Sequence, residues 1–179
     1  MTSAVIVSLK VRATPLRAFA VFTAEIDQWW QPNTLFPLTP RGDGALRFER
    51  PEGAGTTEGG RLVTQLKNGK RFEVGRILAW VPGERVVFTW RQAIFPPDLQ
   101  TEVEVSFEAV GEETRVTIEH RGWDRVPQEH VARHGFPLEI TQQRLGEHMH
   151  QLLRALRAHI LSTPAADAKK ARPLSGDHA

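Results

Sequence analysis

The feature that most constrains the fold is a pair of closely joined strands followed, later in the chain, by one long amphipathic helix. Residues 68–91 read as strand, turn and strand, with Pro82-Gly83 at the turn. From Pro137 onward, apolar residues recur mostly three or four positions apart for about six turns of helix, and Pro164 ends the pattern. A curved antiparallel sheet that grips one long helix usually leaves an apolar hollow between them. The sequence therefore predicts a fold with an internal cavity.

Alternating and β-branched segments predict the strands of this sheet. Short polar or glycine-rich segments separate them, and Asn68-Gly69 is typical of a hairpin turn. The predicted strands are 4–11, 44–49, 60–66, 71–81, 85–91, 101–109 and 114–120. This pattern predicts an α+β fold in which a curved antiparallel β-sheet of about six to seven strands wraps around a long C-terminal α-helix.

Two short helices are predicted directly after the first strand. Thr14 is suited to cap a helix, and Pro15 is suited to its first position. Apolar residues supply one face of this helix up to Thr23, and residues 25–30 indicate a second short helix or turn. Prolines then interrupt residues 31–40, which we expect to form a loop.

The composition is that of one ordinary soluble domain, since 40% of the 179 residues are hydrophobic and 25% are charged. We predict a single domain over residues 1–161 and a disordered tail over residues 162–179. The chain has no Cys, which excludes a disulfide framework and a cysteine nucleophile. No apolar run approaches the roughly 20 residues that cross a bilayer, and residues 1–12 lack the pattern of a signal peptide. The expected location is the cytoplasm.

Charge and short motifs exclude several classes of partner and site. The 23 Lys and Arg nearly balance 21 Asp and Glu, for a net charge of +2, so nothing indicates a nucleic-acid partner. His130 and His134 lie four positions apart, but the chain has no His-Glu-x-x-His pattern. The Gly-x-Ser-x-Gly setting of a hydrolase nucleophile is also missing. We therefore predict no metal and no cofactor, and we assign no catalytic residue.

The order of elements and three short segments resemble one superfamily. The segments are 75–78 (GRIL), 85–91 (RVVFTWR) and 116–120 (VTIEH). With them the chain resembles the START-like (SRPBCC, helix-grip) superfamily and, within it, the AHSA-type branch, named for the activator of the heat-shock chaperone ATPase. The resemblance covers roughly residues 3–161 and implies the helix-grip fold. It also implies several alternative functions, because the superfamily includes lipid and sterol carriers, hormone-binding proteins, polyketide cyclases and aromatases, and chaperone co-factors.

Residues two apart on a strand share a face, and this alternation indicates which side chains face the helix. The five Trp residues also matter in a chain without Tyr, since large aromatic side chains often line ligand sites. Trp29-Trp30, together with Phe36, would form a lid or entrance. The candidate ligand-binding residues are Trp30, Phe36, Arg76, Leu78, Trp80, Phe88, Trp90, Phe107, Ile118, His120, Leu145, His148, Met149 and Leu152.

Two polar residues fall among the apolar faces of the predicted strands. His120 would hydrogen-bond a ligand or act as a general acid or base; alternatively it is a partly solvated residue at a strand end. Arg76 would suit a ligand carboxylate or phenolate if it points inward, whereas a bulge at Gly75 would send it outward. A fixed charge in an apolar hollow needs a partner, because its burial is otherwise costly.

These observations favour binding of a small hydrophobic molecule, of lipid, aromatic or polyketide-like class, between the sheet and the helix. A second hypothesis is an enzyme similar to the polyketide cyclases or aromatases, in which His120 and Arg76 assist proton transfer or enolate stabilisation. A third is a protein-interaction module similar to the chaperone co-factor domain, with an exposed apolar patch near Trp29, Phe95 or Pro96. A protein partner or a homodimer is compatible with the sequence.

Overall fold

The structure is a computed structural model that describes residues 3–51 and 59–163. Short 3-10 turns at Trp123–Arg125 and Val131–Arg133 precede the last helix. The other elements are β1 Ala4–Val11, α1 Pro15–Ala24, α2 Ile26–Trp29, β2 Ala45–Glu49, β3 Arg61–Gln65, β4 Arg71–Val81, β5 Arg85–Trp90, β6 Thr101–Val110, β7 Glu113–Arg121 and α3 Leu138–Ser162. The predicted helix-grip fold is confirmed. Of the predicted tail, residues 164–179 lie outside the described residues.

The seven strands form one curved antiparallel sheet in the order β1-β7-β6-β5-β4-β3-β2. Each strand therefore pairs with its neighbour in the chain, except β1, which crosses to pair with β7 along its full length. The long helix α3 packs over the concave face and approaches β1 closely, since a Cβ added at Gly146 would lie 3.5 Å from the Val5 side chain. The hydrophobic core lies between α3 and the sheet.

The two short helices close one end of this layer. The Thr14 hydroxyl accepts a hydrogen bond from the Arg17 amide at 3.2 Å, and Pro15 occupies the first turn, as the sequence predicts. The indole Nε1–H of Trp29 donates to the carbonyl oxygen of Val21 at 3.2 Å. This bond ties α2 onto α1, so the loop that leaves α2 starts at a fixed position over the sheet.

Strand β4 does not keep a strict two-residue alternation. Its register shifts against β3 opposite Gly75, and it shifts again against β5 between Ile77 and Ala79. At Gly75 a Cβ would collide with the carbonyl oxygen of Thr89, so only glycine lets the two strands approach this closely. The amide of Arg76 then donates to the Thr89 hydroxyl at 2.9 Å. These two shifts decide which way the side chains of Arg76 and its neighbours point.

The helix α3 carries the apolar stripe that its spacing predicts, with one exception. Ile140 is 38% exposed and lies off the stripe, although Thr141 beside it is buried. None of the described helices is both long and apolar enough to cross a membrane. The buried side chains of α3 are Thr141, Leu145, His148, Met149, Leu152, Leu153, Leu156 and Ile160.

The start of α3 is fixed by a buried arginine. Arg133 donates from Nε to the Thr141 hydroxyl at 2.9 Å, and its terminal nitrogens donate to the carbonyl oxygens of Val126 and Phe136, both at 2.7 Å. Hydrogen bonds to a charged donor contribute more than neutral ones. The segment between β7 and α3 is therefore held against the helix, and this places the first turns of α3 beside the end of β7.

Candidate functional site

An apolar cavity lies between the concave face of the sheet and α3. Strands β5, β6 and β7 line it on one side, α3 lines it on the other, and α2 with the following loop covers one end. The space open to the centre of a water molecule is about 40 Å³. That is room for roughly three waters and is well below the roughly 150 Å³ of an apolar cavity that holds benzene. The site in this conformation is therefore an almost closed apolar hollow.

Most of the predicted candidates lie around this cavity. They come from three separate parts of the chain: the end of α2 with its loop, the central strands and α3. The fold brings them together because β5 to β7 are adjacent in the sheet and α3 crosses them. The predicted residues that line the cavity are Trp30, Phe36, Phe88, Trp90, Ile118, His120, Leu145, His148, Met149 and Leu152.

The assignment of Arg76 and Leu78 to the cavity wall is wrong, and for Arg76 the structure shows the alternative in which a bulge at Gly75 sends the side chain outward. The Arg76 side chain is 77% exposed, and Leu78 is 49% exposed. The physical reason is the double register shift of β4, which breaks the alternation that assigned both residues to the inner face. Arg76 instead lies 3.8 Å from the carboxylate of Glu73 at the surface. Within the part of the chain that the structure describes, no guanidinium lines the cavity.

Trp80 and Phe107 were also predicted at the cavity and lie elsewhere in the interior. Trp80 packs edge-on against Phe19, with ring centroids 5.2 Å apart, and Phe107 packs on Phe19 at 5.4 Å. Alternation identifies the face of a strand but not the position along it. Both residues face inward, but they lie toward α1, where aromatic rings fill the space.

His120 is buried at the end of β7 and is hydrogen-bonded through one ring nitrogen. The indole Nε1–H of Trp123 donates to Nε2 of His120 at 3.2 Å, and the Thr101 hydroxyl lies 2.7 Å from the same nitrogen. An indole N–H can only donate, so we assign Nε2 as the acceptor and place the imidazole proton on Nδ1. Burial, and secondarily the neighbouring His148, lowers the pKa of His120 to about 3, so it is neutral at pH 7.

His148 enters the cavity from α3 and is 4% exposed. Its ring stacks on Phe36 at a centroid distance of 6.0 Å and meets the edge of Trp30, also at 6.0 Å. The Nδ1 atom is buried without a hydrogen-bond partner among the described residues. Burial lowers the pKa of His148 to about 4, so this imidazole is also neutral at pH 7. The sequence named His148 as a cavity candidate, and the structure places it inside.

The two adjacent tryptophans, which the sequence predicts as part of a lid or entrance, differ in burial. Trp29 is 2% exposed and packs on Phe22, whereas Trp30 is half-buried at the rim of the cavity. The Trp30 indole donates to Oδ2 of Asp43 at 2.9 Å, and the other carboxylate oxygen of Asp43 accepts from the Leu38 amide at 2.9 Å. The loop after α2 is thus anchored over the cavity, with Trp30 as its partly exposed edge.

Five lining residues were not among the candidates: Phe22, Trp29, Val103, Val105 and Trp123. The alternation of β6 already places Val103 and Val105 on the inner face beside Phe107, so a signal for them was present. For Trp123 the sequence carried no such signal, because this side chain reaches the cavity only after Gly122 turns the chain with φ at 104°. Among the described residues, no three His, Asp or Glu side chains converge as metal ligands would.

No functionally curated protein matches the chain in sequence. A Mesorhizobium loti protein of known structure aligns with a TM-score of 0.57 and 16% identity over 91% of this chain and 100% of that one. The Aha1 dimer of Colwellia psychrerythraea aligns with a TM-score of 0.50 and 14% identity over 87% and 93%. DynU16 of the dynemicin biosynthetic locus aligns with a TM-score of 0.56 and 17% identity over 89% of this chain and 47% of that chain.

At these identities the solved structures support the fold alone. The family evidence comes from sequence, since the model of the family described as "Activator of Hsp90 ATPase homolog 1-like protein" matches residues 12–157. The match runs from the end of β1 to the last turns of α3 and includes every residue that lines the cavity. The chain therefore belongs to the AHSA1 family, the AHSA-type branch of the START-like superfamily.

Proposed function

We propose that the protein binds a small hydrophobic ligand in the cavity between the sheet and α3. The observation that carries the proposal is the pairing of an apolar aromatic wall with a few polar groups inside it. His148 is buried with an unpartnered Nδ1, and a core selected only for stability would satisfy or replace such a group. Ligand sites have this composition: mostly apolar linings with a few convergent polar atoms.

The same geometry argues against the enzyme hypothesis. A general base works best when its pKa lies near the operating pH, whereas burial lowers the pKa of His120 to about 3 and of His148 to about 4. Both imidazoles are therefore weak bases at pH 7, and neither carries the second proton of an imidazolium that a general acid would give. Arg76, the other residue considered for catalysis, is at the surface. Hydrogen bonding to a ligand is the chemistry that remains.

Family membership makes a protein partner the second candidate, because the family is described by a chaperone activator. Of the three residues named for an exposed patch in that role, Trp29 and Phe95 are buried, at 2% and 3% exposed, and Pro96 is exposed. Trp29 packs on Phe22, and Phe95 meets the edge of Trp123 at 5.6 Å. The buried side chains of the predicted patch serve the fold, so the cavity is the better-supported site.

The test is native mass spectrometry of freshly purified protein, followed by denaturing analysis of anything released. We expect a stoichiometric small molecule, or a rise in melting temperature with a panel of small aromatic and polyketide-like compounds. The matched control is Val103→Phe, because Val103 pairs with His120 across β6 and β7 and a larger ring there fills the cavity. The control should be empty and unresponsive. An empty wild-type protein with no thermal response contradicts the proposal, and a dimer or larger mass supports the protein-partner candidate instead.

A further inference from the structure

We propose that His120 and His148 are specificity-determining residues, which select a ligand carrying an uncharged hydroxyl on a single small ring, a phenol by chemical class. This inference rests on the proposed function and adds the polar group that the cavity recognises. It combines three features of the site: an imidazole with an unpartnered nitrogen, an imidazole to which Trp123 donates at Nε2, and a lining whose described residues carry no charge.

The unpartnered imidazole is His148. Neither of its ring nitrogens is hydrogen-bonded to a described residue, although the ring is 4% exposed and packed between Phe36 and Trp30. Burying a polar group without a hydrogen-bond partner costs free energy. A ligand that supplies the missing partner recovers this free energy. A purely apolar ligand would leave this cost in place, so the site favours a ligand with at least one polar atom.

The second imidazole, His120, restricts which polar atom fits. Because Trp123 donates to Nε2, the ring presents Nδ1–H as a donor, and no described residue accepts from it. A hydroxyl can accept from Nδ1–H of His120 and at the same time donate to a nitrogen of His148. A carbonyl or an ether oxygen satisfies only the first bond. The hydroxyl is the simplest group that uses both imidazoles.

The lining also excludes a charged group. Of residues 3–51 and 59–163, no Lys, Arg, Asp or Glu is among those around the cavity. Both imidazoles are neutral at pH 7, since burial lowers the pKa of His120 to about 3 and of His148 to about 4. A ligand carboxylate would therefore be buried without a counter-ion, which is strongly unfavourable. A phenol stays neutral at pH 7, as the side chain of tyrosine does.

The small volume limits the ligand to one ring. The open space of about 40 Å³ must widen to admit even benzene, which occupies a cavity of roughly 150 Å³. Met149 and the half-buried Trp30 are the lining side chains best able to move, because one is flexible and the other lies at the rim. A lipid chain or a polycyclic polyketide would require the helix itself to move.

The test is a matched series of one-ring probes observed by fluorine NMR on the full chain at pH 7: fluorobenzene, 4-fluorophenol and 4-fluorobenzoate. We expect 4-fluorophenol to bind about tenfold more tightly than fluorobenzene, the gain of one satisfied hydrogen bond in an apolar site. We expect 4-fluorobenzoate to bind more weakly than both. Val103→Phe should abolish binding of all three, which locates the signal in this cavity.

His148→Phe keeps the ring stacked on Phe36 and removes both nitrogens. In this variant we expect the preference for 4-fluorophenol to fall well below tenfold, because only Nδ1–H of His120 remains to bond the hydroxyl, with the affinity for fluorobenzene retained or increased. The matched control is His150→Phe, two positions along the same helix and outside the lining, which should keep the tenfold preference. The wild-type series needs no variant, so it tests the selection even if a substituted chain fails to fold.

Three results overturn the inference. Equal binding of fluorobenzene and 4-fluorophenol to the wild-type protein overturns it and leaves the proposed function standing. Preference for 4-fluorobenzoate overturns it by showing that the cavity supplies a cation. Absence of binding by every probe also overturns the inference. If native mass spectrometry finds an empty protein as well, the proposed function falls with it. If a different small molecule co-purifies, only the selection of a one-ring phenol falls.

Discussion

Two aromatic clusters share the space between the sheet and α3, and they have similar ring geometry but different chemistry. The packed cluster, toward α1, consists of Phe19, Phe48, Trp80 and Phe107. The histidine cluster, toward α2 and the loop after it, consists of Trp30, Phe36, Trp90, His120, Trp123 and His148. Neighbouring centroids lie 5.2 to 5.8 Å apart in the packed cluster and 5.5 to 6.0 Å apart in the histidine cluster.

The difference lies in what fills the remaining space. In the packed cluster, one aromatic ring meets the edge of the next and the contacts are almost entirely between carbon atoms, so every ring contributes burial and dispersion. In the histidine cluster, a cavity separates the rings, and two imidazoles replace carbon rings that would pack as well. A neutral imidazole without a partner lowers stability relative to phenylalanine at the same place. Regions that depart from good packing in this way are where function is expected.

The largest effect should come from emptying the packed cluster. Phe107 is 6% exposed and contacts Phe19 and Phe22, so Phe107→Ala removes a large buried ring from a filled region. We expect the free energy of unfolding to fall by about 3–5 kcal/mol, measured by urea denaturation at pH 7. Phe107→Leu is the control and should cost less than about 1.5 kcal/mol. A loss below 1 kcal/mol for Phe107→Ala would mean that this region is not close-packed and would remove the contrast with the histidine cluster.

The second effect belongs to the histidine cluster and appears with pH. The folded-state pKa values of His120 and His148, about 3 and about 4, lie below the unfolded value near 6.5. The unfolded chain therefore binds more protons as the pH falls below 6.5, and stability that is present above this pH is lost on the way down to the folded pKa values. From pH 7 to pH 5 we expect a loss of about 2 kcal/mol for each histidine, or about 4 kcal/mol in total.

Urea denaturation of wild-type protein and of His148→Phe at both pH values separates this effect from other titrations. The variant should lose about half of the pH dependence, and at pH 5 it should be more stable than the wild type by at least about 2 kcal/mol. An identical pH dependence in the two proteins would show that His148 titrates as an exposed histidine does. The cavity would then be open to water, and the two clusters would differ less than their burial implies.

The sequence predicted some residues of the packed cluster and the histidine cluster at their correct positions and others at wrong ones, and the reasons are physical. Periodicity identifies which face of an element is apolar, and it correctly indicated the strands, both short helices and the stripe of α3. It placed Trp90, Ile118 and His120 on inward faces, as the structure does. It does not report position along a strand, so Trp80 and Phe107 were assigned to the cavity although they pack toward α1.

Irregular backbone accounts for the remaining errors. The register of β4 shifts twice, so the strict alternation rule placed Arg76 and Leu78 on the wrong face. The sequence offered a bulge at Gly75 as an alternative, and the structure shows the first shift there. Trp123 follows a left-handed glycine after β7, and no period predicts where a side chain lies after such a turn. Contacts between residues far apart in the chain, rather than local propensity, determine which side chains meet in the histidine cluster.

A smaller effect should come from the hydroxyl that supports His120. Thr101 is 1% exposed, and its hydroxyl oxygen lies 2.7 Å from Nε2 of His120 and 3.0 Å from the carbonyl oxygen of Trp90. Thr101→Val removes this group at nearly constant shape and should lower the free energy of unfolding by about 1–2 kcal/mol. Nitrogen NMR of the imidazole should still show His120 neutral and protonated at Nδ1, because Trp123 continues to donate to Nε2. A proton on Nε2 in the wild-type protein would contradict the assignment and the donor role of Nδ1–H.

The smallest effect should come from Arg76, a cavity candidate from the sequence that the structure places at the surface, outside both clusters. Its only described ion pair is with Glu73 at 3.8 Å, with the two side chains 77% and 41% exposed. Pairs this exposed contribute little, so Arg76→Ala should change the free energy of unfolding by no more than about 0.5 kcal/mol. The affinities for fluorobenzene, 4-fluorophenol and 4-fluorobenzoate should stay unchanged, measured by the same fluorine NMR titration. A selective loss of 4-fluorobenzoate binding in Arg76→Ala would show that Arg76 reaches the cavity in solution. Strand β4 would then have to adopt an uninterrupted register, in which its side chains alternate strictly.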